Sequence, residues 1–406
     1  MKRSKQILLV ISKFPPEYSG PGVRIPRLYD WLNSKSEEYA LRVLCNGIEK
    51  NRGERYSYKG YPVHRIVAGW AHSCFSFLPK FPSKYKHAII YQLEFLQTLF
   101  SLFTVKDYAE IDLVHVAGHS GGTAAALVWA KIKNVPVLME LVTSKAPYQQ
   151  SYLFVFKTPV SDKFKVVTLT DDMQQKCLKA GLSSLKLWCR PNPIDEIRFT
   201  YPSREQKNKF REVLTPFSDD QIVLVSVAKM MPQKNQKLIV DTLKYLPEKF
   251  VALIGGPVIQ CGPLKDRDLA YVEEVTTLIK AQNLSNRVHF VADFVDAEEY
   301  MKAGDIYMMP AWNEGLGTPM LESMACGLPV VGNQNEPAFQ EWIKNGDNGF
   351  LCDISSPQEW ANAIEKLENF SEEERLKLSQ TIHKSAGQRG IYSQYERIIN
   401  KLMTEV

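Results

Sequence analysis

Two glutamates with seven residues between them, Glu314 and Glu322, frame the most chemically suggestive segment of the chain. Residues Asp305 to Val331 read DIYMMPAWNEGLGTPMLESMACGLPVV. Gly315 and Gly317, either side of Leu316, let the backbone approach a ligand closely. Thr318 suits a helix N-cap and Pro319 the first helical position. Free N–H groups at such a helix start attract an anion. Glu322 falls one turn into that helix, near the same mouth, where a carboxylate suits sugar hydroxyls. A loop carboxylate, a phosphate-suited helix start and a second carboxylate together describe a nucleotide-sugar site. A D-x-D triplet, Asp266-Arg267-Asp268, lies in a polar stretch rather than at a strand end. The seven cysteines are scattered without a C-x-x-C pair, so neither a zinc site nor a disulfide framework is indicated, and a reducing compartment fits. No metal is expected in the site.

The elements that must position these residues are short apolar runs between helix-length amphipathic stretches. In the first half the strand candidates are Ile7–Ser12, Leu41–Leu44, Val63–Ile66, Leu113–Val116, Val135–Glu140 and Val166–Leu169. In the second they are Val223–Val227, Phe250–Ile254, Val288–Phe290, Ile306–Met309, Pro329–Val331 and Gly349–Cys352. Strands apolar on both faces and separated by helices make parallel sheets covered on both sides. The fold class expected is therefore α/β, two doubly wound Rossmann-like domains facing a cleft. The length, 406 residues, also calls for more than one core. An N-terminal domain over 1–195 and a C-terminal domain over 196–385 are expected. A last helix over 386–406 should pack back towards the first domain. The junction is sought in Pro191–Asp220, which opens PNPID and continues charged and polar. Ligands of such sheets bind beyond the carboxyl ends of strands.

The segment EGLGTPMLESMACGLPVV resembles the hallmark of the GT-B retaining glycosyltransferases of family 4, the group 1 transferases. The match runs through Glu314, Gly315, Gly317, Glu322, Met324, Ala325, Gly327, Pro329, Val330 and Val331. Upstream, VSVAKMMPQKN is similar to the family's strand and G-R-x-x-x-x-K, with Ala228 for Gly and Lys229 for Arg. RVHFVADFVDAEEYMKAGDIYMMPAWNEG follows the family's next stretch, with Ala292 where Gly and Ala311 where Ser is usual. The family's G-G-x-x-E loop stands here as Pro337-Ala338-Phe339-Gln340-Glu341. The resemblance implies a fold, GT-B, and an activity, transfer of a sugar from a nucleotide-diphospho-sugar with retention of configuration. It implies front-face chemistry without a metal, the leaving phosphate helping to deprotonate the acceptor. Glu314 would contact the donor sugar and Glu322 the ribose. Lys229 and Lys234 would hold the pyrophosphate, where cations offset developing leaving-group charge. Leu316, Gly315, Gly317 and Thr318 would complete the donor site. Two other readings on the same fold are a non-catalytic sugar-nucleotide-binding assembly subunit and a nucleotide-sugar epimerase.

In the N-terminal half the first strand is followed by KFPPEYSGPGVRIPRLYDWL. Gly20 and Gly22 are expected in a loop before a helix that begins near Arg24, itself a candidate anion contact. The missing third glycine, with Ile25 in its place, argues against a dinucleotide fingerprint. LVHVAGHSGG is similar to the family's H-x-H strand end. His115 matches its first position, Ala117 occupies the second, and His119 stands two residues on as a substitute. The next strand ends in Glu140, where many members carry a His nearby.

Net charge is only +5, but it is unevenly spread. Residues 1–200 hold 28 Lys and Arg against 16 Asp and Glu, and residues 201–406 hold 22 against 29. The first half is thus basic, as suits an anionic membrane surface or a phosphorylated lipid carrier. The stretch Phe75–Phe103, with Lys80, Lys84 and Lys86, is a candidate interfacial patch. Its apolar part, Ala88–Thr104, is 17 residues long and too short and polar to span a bilayer. The N-terminal run Ile7–Ile11 is too short for a signal peptide. The expected location is cytoplasmic, peripheral to the inner face of the membrane. The expected partners are a nucleotide-sugar donor, a glycan or lipid-linked acceptor and an anionic membrane surface, with no nucleic acid and no cofactor.

Overall fold

In the computed structural model, residues 3–17, 20–36, 38–46, 54–66, 83–142, 163–258 and 264–404 are described, the side chains of 83–87 excepted. The chain divides into two units, Met1–Arg190 with Ile391–Val406, and Pro191–Gly390.

The first unit holds strands β1 (Lys5–Ile11), β2 (Tyr39–Asn46), β3 (Glu54–Tyr58), β4 (Tyr61–Ile66), β5 (Leu113–Ala117), β6 (Val137–Glu140), β7 (Phe164–Thr168) and β8 (Leu187–Cys189). They lie in the order β3-β4-β2-β1-β5-β6-β7-β8. Only the β3–β4 pair is antiparallel. Its turn is closed by Lys59 and Gly60, both at positive φ, as a tight hairpin requires. Central β1 is apolar without alternation, and Ile7 to Ile11 are buried, because helices cover both faces. The helices here are α1 (Gly20–Ser36), α2 (Ser83–Thr104), α3 (Gly121–Lys133) and α4 (Asp171–Lys179).

The second unit has β9 (Ile222–Val227), β10 (Phe250–Gly255), β11 (Val288–Val291), β12 (Ile306–Met309), β13 (Val330–Asn333) and β14 (Gly349–Cys352). All its pairings are parallel, in the order β11-β10-β9-β12-β13-β14. Its helices are α5 (Arg204–Leu214), α6 (Gln236–Leu243), α7 (Lys265–Ala281), α8 (Ala297–Ala303), α9 (Thr318–Ala325), α10 (Pro337–Trp342), α11 (Pro357–Leu367) and α12 (Glu372–Ala386), after which α13 (Gln388–Thr404) runs on into the first unit. Along α13, Ile391, Tyr392, Tyr395, Ile399 and Leu402 recur at helical spacing and enter the same core as Ile7 and Leu9.

Strand order matters for function. In each sheet the first strand of the unit is central and the order reverses beside it. Those reversal points lie between β1 and β5 and between β9 and β12, where open α/β sheets bind ligands.

The structure departs from the expected elements in three places. Strands β3 and β8 were not among the candidates, since ERYSY is a polar edge strand and LWC is only three residues long. Helix α1 begins at Gly20, not near Arg24, so Gly20 and Gly22 belong to its first turn rather than to a loop. Pro21 explains this, because its fixed φ suits a first turn and its missing N–H is no loss there. Residues 75–82 of the Phe75–Phe103 stretch lie outside the described residues, and from Ser83 it is α2.

Candidate functional site

The reversal point of the second sheet gathers the residues singled out by chemistry. Leaving β9, the Ala228 N–H donates to the Gly255 carbonyl at 3.0 Å and the Met230 N–H to Pro257 at 2.9 Å. This seats the loop bearing Lys229 on the loop after β10. The fit needs Gly256, since a Cβ there would run into the Ala228 carbonyl. The Lys229 carbonyl accepts from the Gln236 amide at 3.0 Å. Pro232–Lys234 then form one 3-10 turn, ended by Asn235 in the left-handed region.

Across the reversal point, Lys234 makes an ion pair with Glu314. Both side chains are largely buried, at 17% and 12% exposure. Such shielding strengthens a charge pair relative to the same pair in water. The two loops are also tied through backbone: the Trp312 N–H donates to the Gln233 carbonyl at 3.1 Å, and the Gln233 amide donates to the Asn313 carbonyl at 3.1 Å.

A third element holds Glu314 in place. Glu336, just after β13, accepts from the Asn313 N–H at 2.6 Å and the Glu314 N–H at 3.0 Å. Asn313 itself is in the left-handed region, at φ 56°. Asn333 at the end of β13 donates its amide to the Ala311 carbonyl at 3.0 Å. Loops after three strands therefore meet at Glu314. Motif reading missed Glu336, whose partners are backbone groups 22 and 23 residues away. The available signal was its place before Pro337, at a helix start.

The turn into α9 differs from expectation in one respect. Its cap is Gly317, at φ 74°, and Thr318 is the first helical residue rather than the N-cap. Gly317 takes the left-handed turn, and a Cβ there would come within 2.6 Å of the Phe339 ring, so no larger residue fits. The Thr318 hydroxyl consequently accepts from the Asn192 amide at 2.7 Å. The Leu316 side chain is buried, and Gly315 and Glu322 are half-buried. The Tyr307 hydroxyl on β12 donates to the Val227 carbonyl at 3.1 Å. Burial pushes the Tyr307 phenol up, and the nearby Glu322 and Glu314 carboxylates add to the effect. Both glutamates thus act electrostatically on one buried phenol.

At the reversal point of the first sheet the charges are turned inwards. Glu140, the last residue of β6, is buried and pairs with Arg24 from α1 and with Arg190 at 3.1 Å. It also accepts from the Tyr395 hydroxyl of α13 and lies 3.1 Å from His115 Nε2. The Tyr29 hydroxyl is 2.9 Å from His115 Nδ1. A neutral ring satisfies both when Nε2–H donates to Glu140 and Nδ1 accepts from Tyr29. Burial alone would push the Glu140 carboxyl up, but Arg24 and Arg190, with the His115 hydrogen bond, hold it well below the usual carboxylate range. Arg24 and Glu140, singled out separately, are thus partners. His119 follows β5, half-buried, its ring 5.4 Å from that of Tyr91, and burial lowers its pKa.

Beside His119, Glu94 of α2 turns inwards and accepts one long hydrogen bond, 3.3 Å, from the Gly121 N–H at the start of α3. Burial pushes this carboxyl up to about 7 from an ordinary 4.5. A raised acid favours the folded state below its ordinary pKa, and that advantage disappears as pH climbs towards the folded value. The Glu94→Gln variant should therefore be more stable than wild type in urea unfolding at pH 8, by about 3 kcal/mol, and nearly equal to it at pH 4.5. An equal gap at both pH values would contradict this.

Among the described residues, no three His, Cys, Asp or Glu side chains are grouped to hold a metal ion. No described helix is long and apolar enough to cross a membrane.

Residues 206–385 match the family model described as glycosyl transferases group 1. The O-antigen biosynthesis glycosyltransferase WclY of Escherichia coli is 31% identical over 196 residues, covering 46% of this chain and 49% of WclY. The chain thus spans about half the length of that curated relative. A second Escherichia coli protein, UDP-Gal:alpha-D-GlcNAc-diphosphoundecaprenol alpha-1,3-galactosyltransferase, is 22% identical over 291 residues, covering 67% and 70% of the two chains. The crystal structure of Anabaena HepE in complex with UDP and glucose superposes with a TM-score of 0.70 at 19% identity, over 98% of this chain and 100% of that one. At that identity the likeness establishes the fold: two doubly wound α/β bodies, as in GT-B proteins.

Proposed function

We propose that this chain is a retaining glycosyltransferase of family 4. It moves a sugar from a nucleotide-diphospho-sugar to a glycan or lipid-linked acceptor, in polysaccharide or glycoconjugate synthesis. The observation that carries the reading is the Lys234–Glu314 pair across the strand-order reversal, in the segment that matches the group 1 model. The ammonium suits a diphosphate and the carboxylate the hydroxyls of the sugar joined to it. Lys229 on the same loop adds a second cation, and Glu322 takes the ribose. The donor is a substrate, and neither a resident cofactor nor a metal is needed. WclY's role in O-antigen synthesis and the diphosphoundecaprenol in the second relative's name support a lipid-linked acceptor. UDP-sugars lead the donor candidates, because HepE binds UDP and glucose.

The test is a panel of UDP-, GDP-, ADP- and dTDP-sugars, offered with diphospholipid-linked and soluble glycan acceptors. Nucleoside diphosphate release and the anomeric configuration of the product are read. One donor should give product with its anomeric configuration kept. Inversion, or isomerised nucleotide-sugar without transfer, would overturn the reading.

Glu336 gives a second prediction. It touches no reacting atom but holds the backbone N–H groups of Asn313 and Glu314. Glu336→Ala should cut kcat/KM about 10- to 100-fold by letting Glu314 shift, with the loss mainly in kcat. Glu336→Gln keeps one acceptor and should lose less. Equal losses in the two variants would show that the paired N–H contact is not what matters.

A further inference from the structure

The outer face of α2 is unlike that of an ordinary surface helix. From Ala88 to Thr104 its only charged residue is Glu94, and that one is turned inwards onto α3. Outwards it exposes Ile89, Leu96, Phe100 and Phe103, Phe100 at 70% and Leu96 at 59%. At about 100° per residue these four fall within an arc of about 60°, along about 21 Å of helix. A helix against water normally carries charge on that face. Beside the stripe, the end of α3 exposes Ile132 at 62%, between Lys131 and Lys133. The Lys133 ammonium lies 5.6 Å from the centre of the Phe103 ring. The next acids along the chain after Glu94, Asp107 and Glu110, are engaged by Arg55 and Arg3.

We propose that α2 and the end of α3 form a docking face for an anionic lipid bilayer. Leu96, Phe100 and Phe103 enter the headgroup–acyl boundary, and Lys131 and Lys133 meet lipid phosphates. Aromatic and aliphatic side chains in one line, flanked by lysines, match an interfacial helix that lies on a membrane rather than spanning it. The basic balance of residues 1–200 acts in the same direction. A second copy of the chain is a poorer occupant, since a stable dimer buries roughly 800 Å² per partner and this stripe is one narrow line. The inference rests on the proposed reading for its purpose, delivery of a lipid-linked acceptor, but not for its evidence.

The test is cosedimentation of the full chain with phosphatidylcholine vesicles and with vesicles containing roughly one-third phosphatidylglycerol, at low and high salt. Wild type should bind the anionic vesicles more tightly and lose that preference in high salt. Leu96→Glu with Phe100→Glu should weaken binding about tenfold or more. Lys131→Gln with Lys133→Gln should narrow the gap between the two lipids. The indole of a Phe100→Trp variant should shift its emission to the blue on anionic vesicles. Circular dichroism melts matching wild type establish that the variants are folded. Vesicle binding unchanged by the Glu pair would overturn the proposal. So would a gap between lipids unchanged by the Gln pair, or a wild-type dimer that the Glu pair dissociates without any vesicle binding. Nucleotide release with a soluble acceptor is measured alongside. Vesicle binding without transfer defeats the functional reading alone, and transfer without vesicle binding defeats this one alone.

Discussion

Lys234→Ala is expected to lower kcat/KM for sugar transfer by about 10²- to 10³-fold, with the protein still folded. The magnitude follows from position. Lys234 is 17% exposed and held on a one-turn element by the left-handed Asn235. A charge fixed in a shielded place stabilises a leaving diphosphate without having to reorganise as the bond breaks. Glu314→Ala should lose a similar factor through the donor sugar. The two losses should not add, because each variant also removes the other's partner. A double-mutant cycle on kcat/KM, with donor binding by calorimetry as a second readout, tests this. The Ala variant at Lys234 should bind nucleoside diphosphate more weakly, whereas the Ala variant at Glu314 should bind it nearly as wild type does. A Lys234→Ala enzyme within about threefold of wild type would remove the lysine from the mechanism.

What sequence reasoning reached, and what it could not, divides along a physical line. The turn from Gly315 into the helix at Thr318 was legible because glycine and proline have local meanings, turn and helix start. Strand cores such as Val223–Val227 were legible because strands buried on both faces cannot alternate. Edge strand β3 was not, because its residues are polar and its identity comes from pairing with β4. Glu336 was not, because a carboxylate that binds backbone N–H groups leaves no trace in its partners' side chains. The start of α1 was misjudged by weighing Gly20 and Gly22 as loop-formers over Pro21 as a first-turn residue. The Glu140 cluster was out of reach for a different reason. Its members come from α1, β5, β6, the end of β8 and α13, and only the folded topology brings residues 24, 115, 140, 190 and 395 together.

That cluster supplies the largest expected effect on stability. Glu140 is the carboxylate facing two guanidiniums, at 0% side-chain exposure. Glu140→Ala leaves Arg24 and Arg190 buried without their counter-charge, and the His115 N–H and the Tyr395 hydroxyl lose an acceptor. Breaking one side of a buried pair in this way costs about 3–5 kcal/mol. Glu140→Gln, which keeps shape and an acceptor but not the charge, should cost less. The loss should be seen in the unit that contains residues 1–190, including release of α13, since Tyr395 bonds to Glu140 directly. Hydrogen exchange localises it: amides of β6 and of α13 from Ile391 on should lose protection, while those of β9 to β14 keep theirs. The pH dependence has a definite sign. With the folded carboxyl well below its ordinary value, the stability it contributes is fully present above the ordinary carboxyl range and lost only as pH falls through the folded value. The gap between wild type and Glu140→Gln should therefore stay constant from pH 6 to 9 and close only in acid. A gap that instead closes as pH rises through neutrality would mean that Glu140 carries a proton in the folded protein, and would overturn the assignment of its charge.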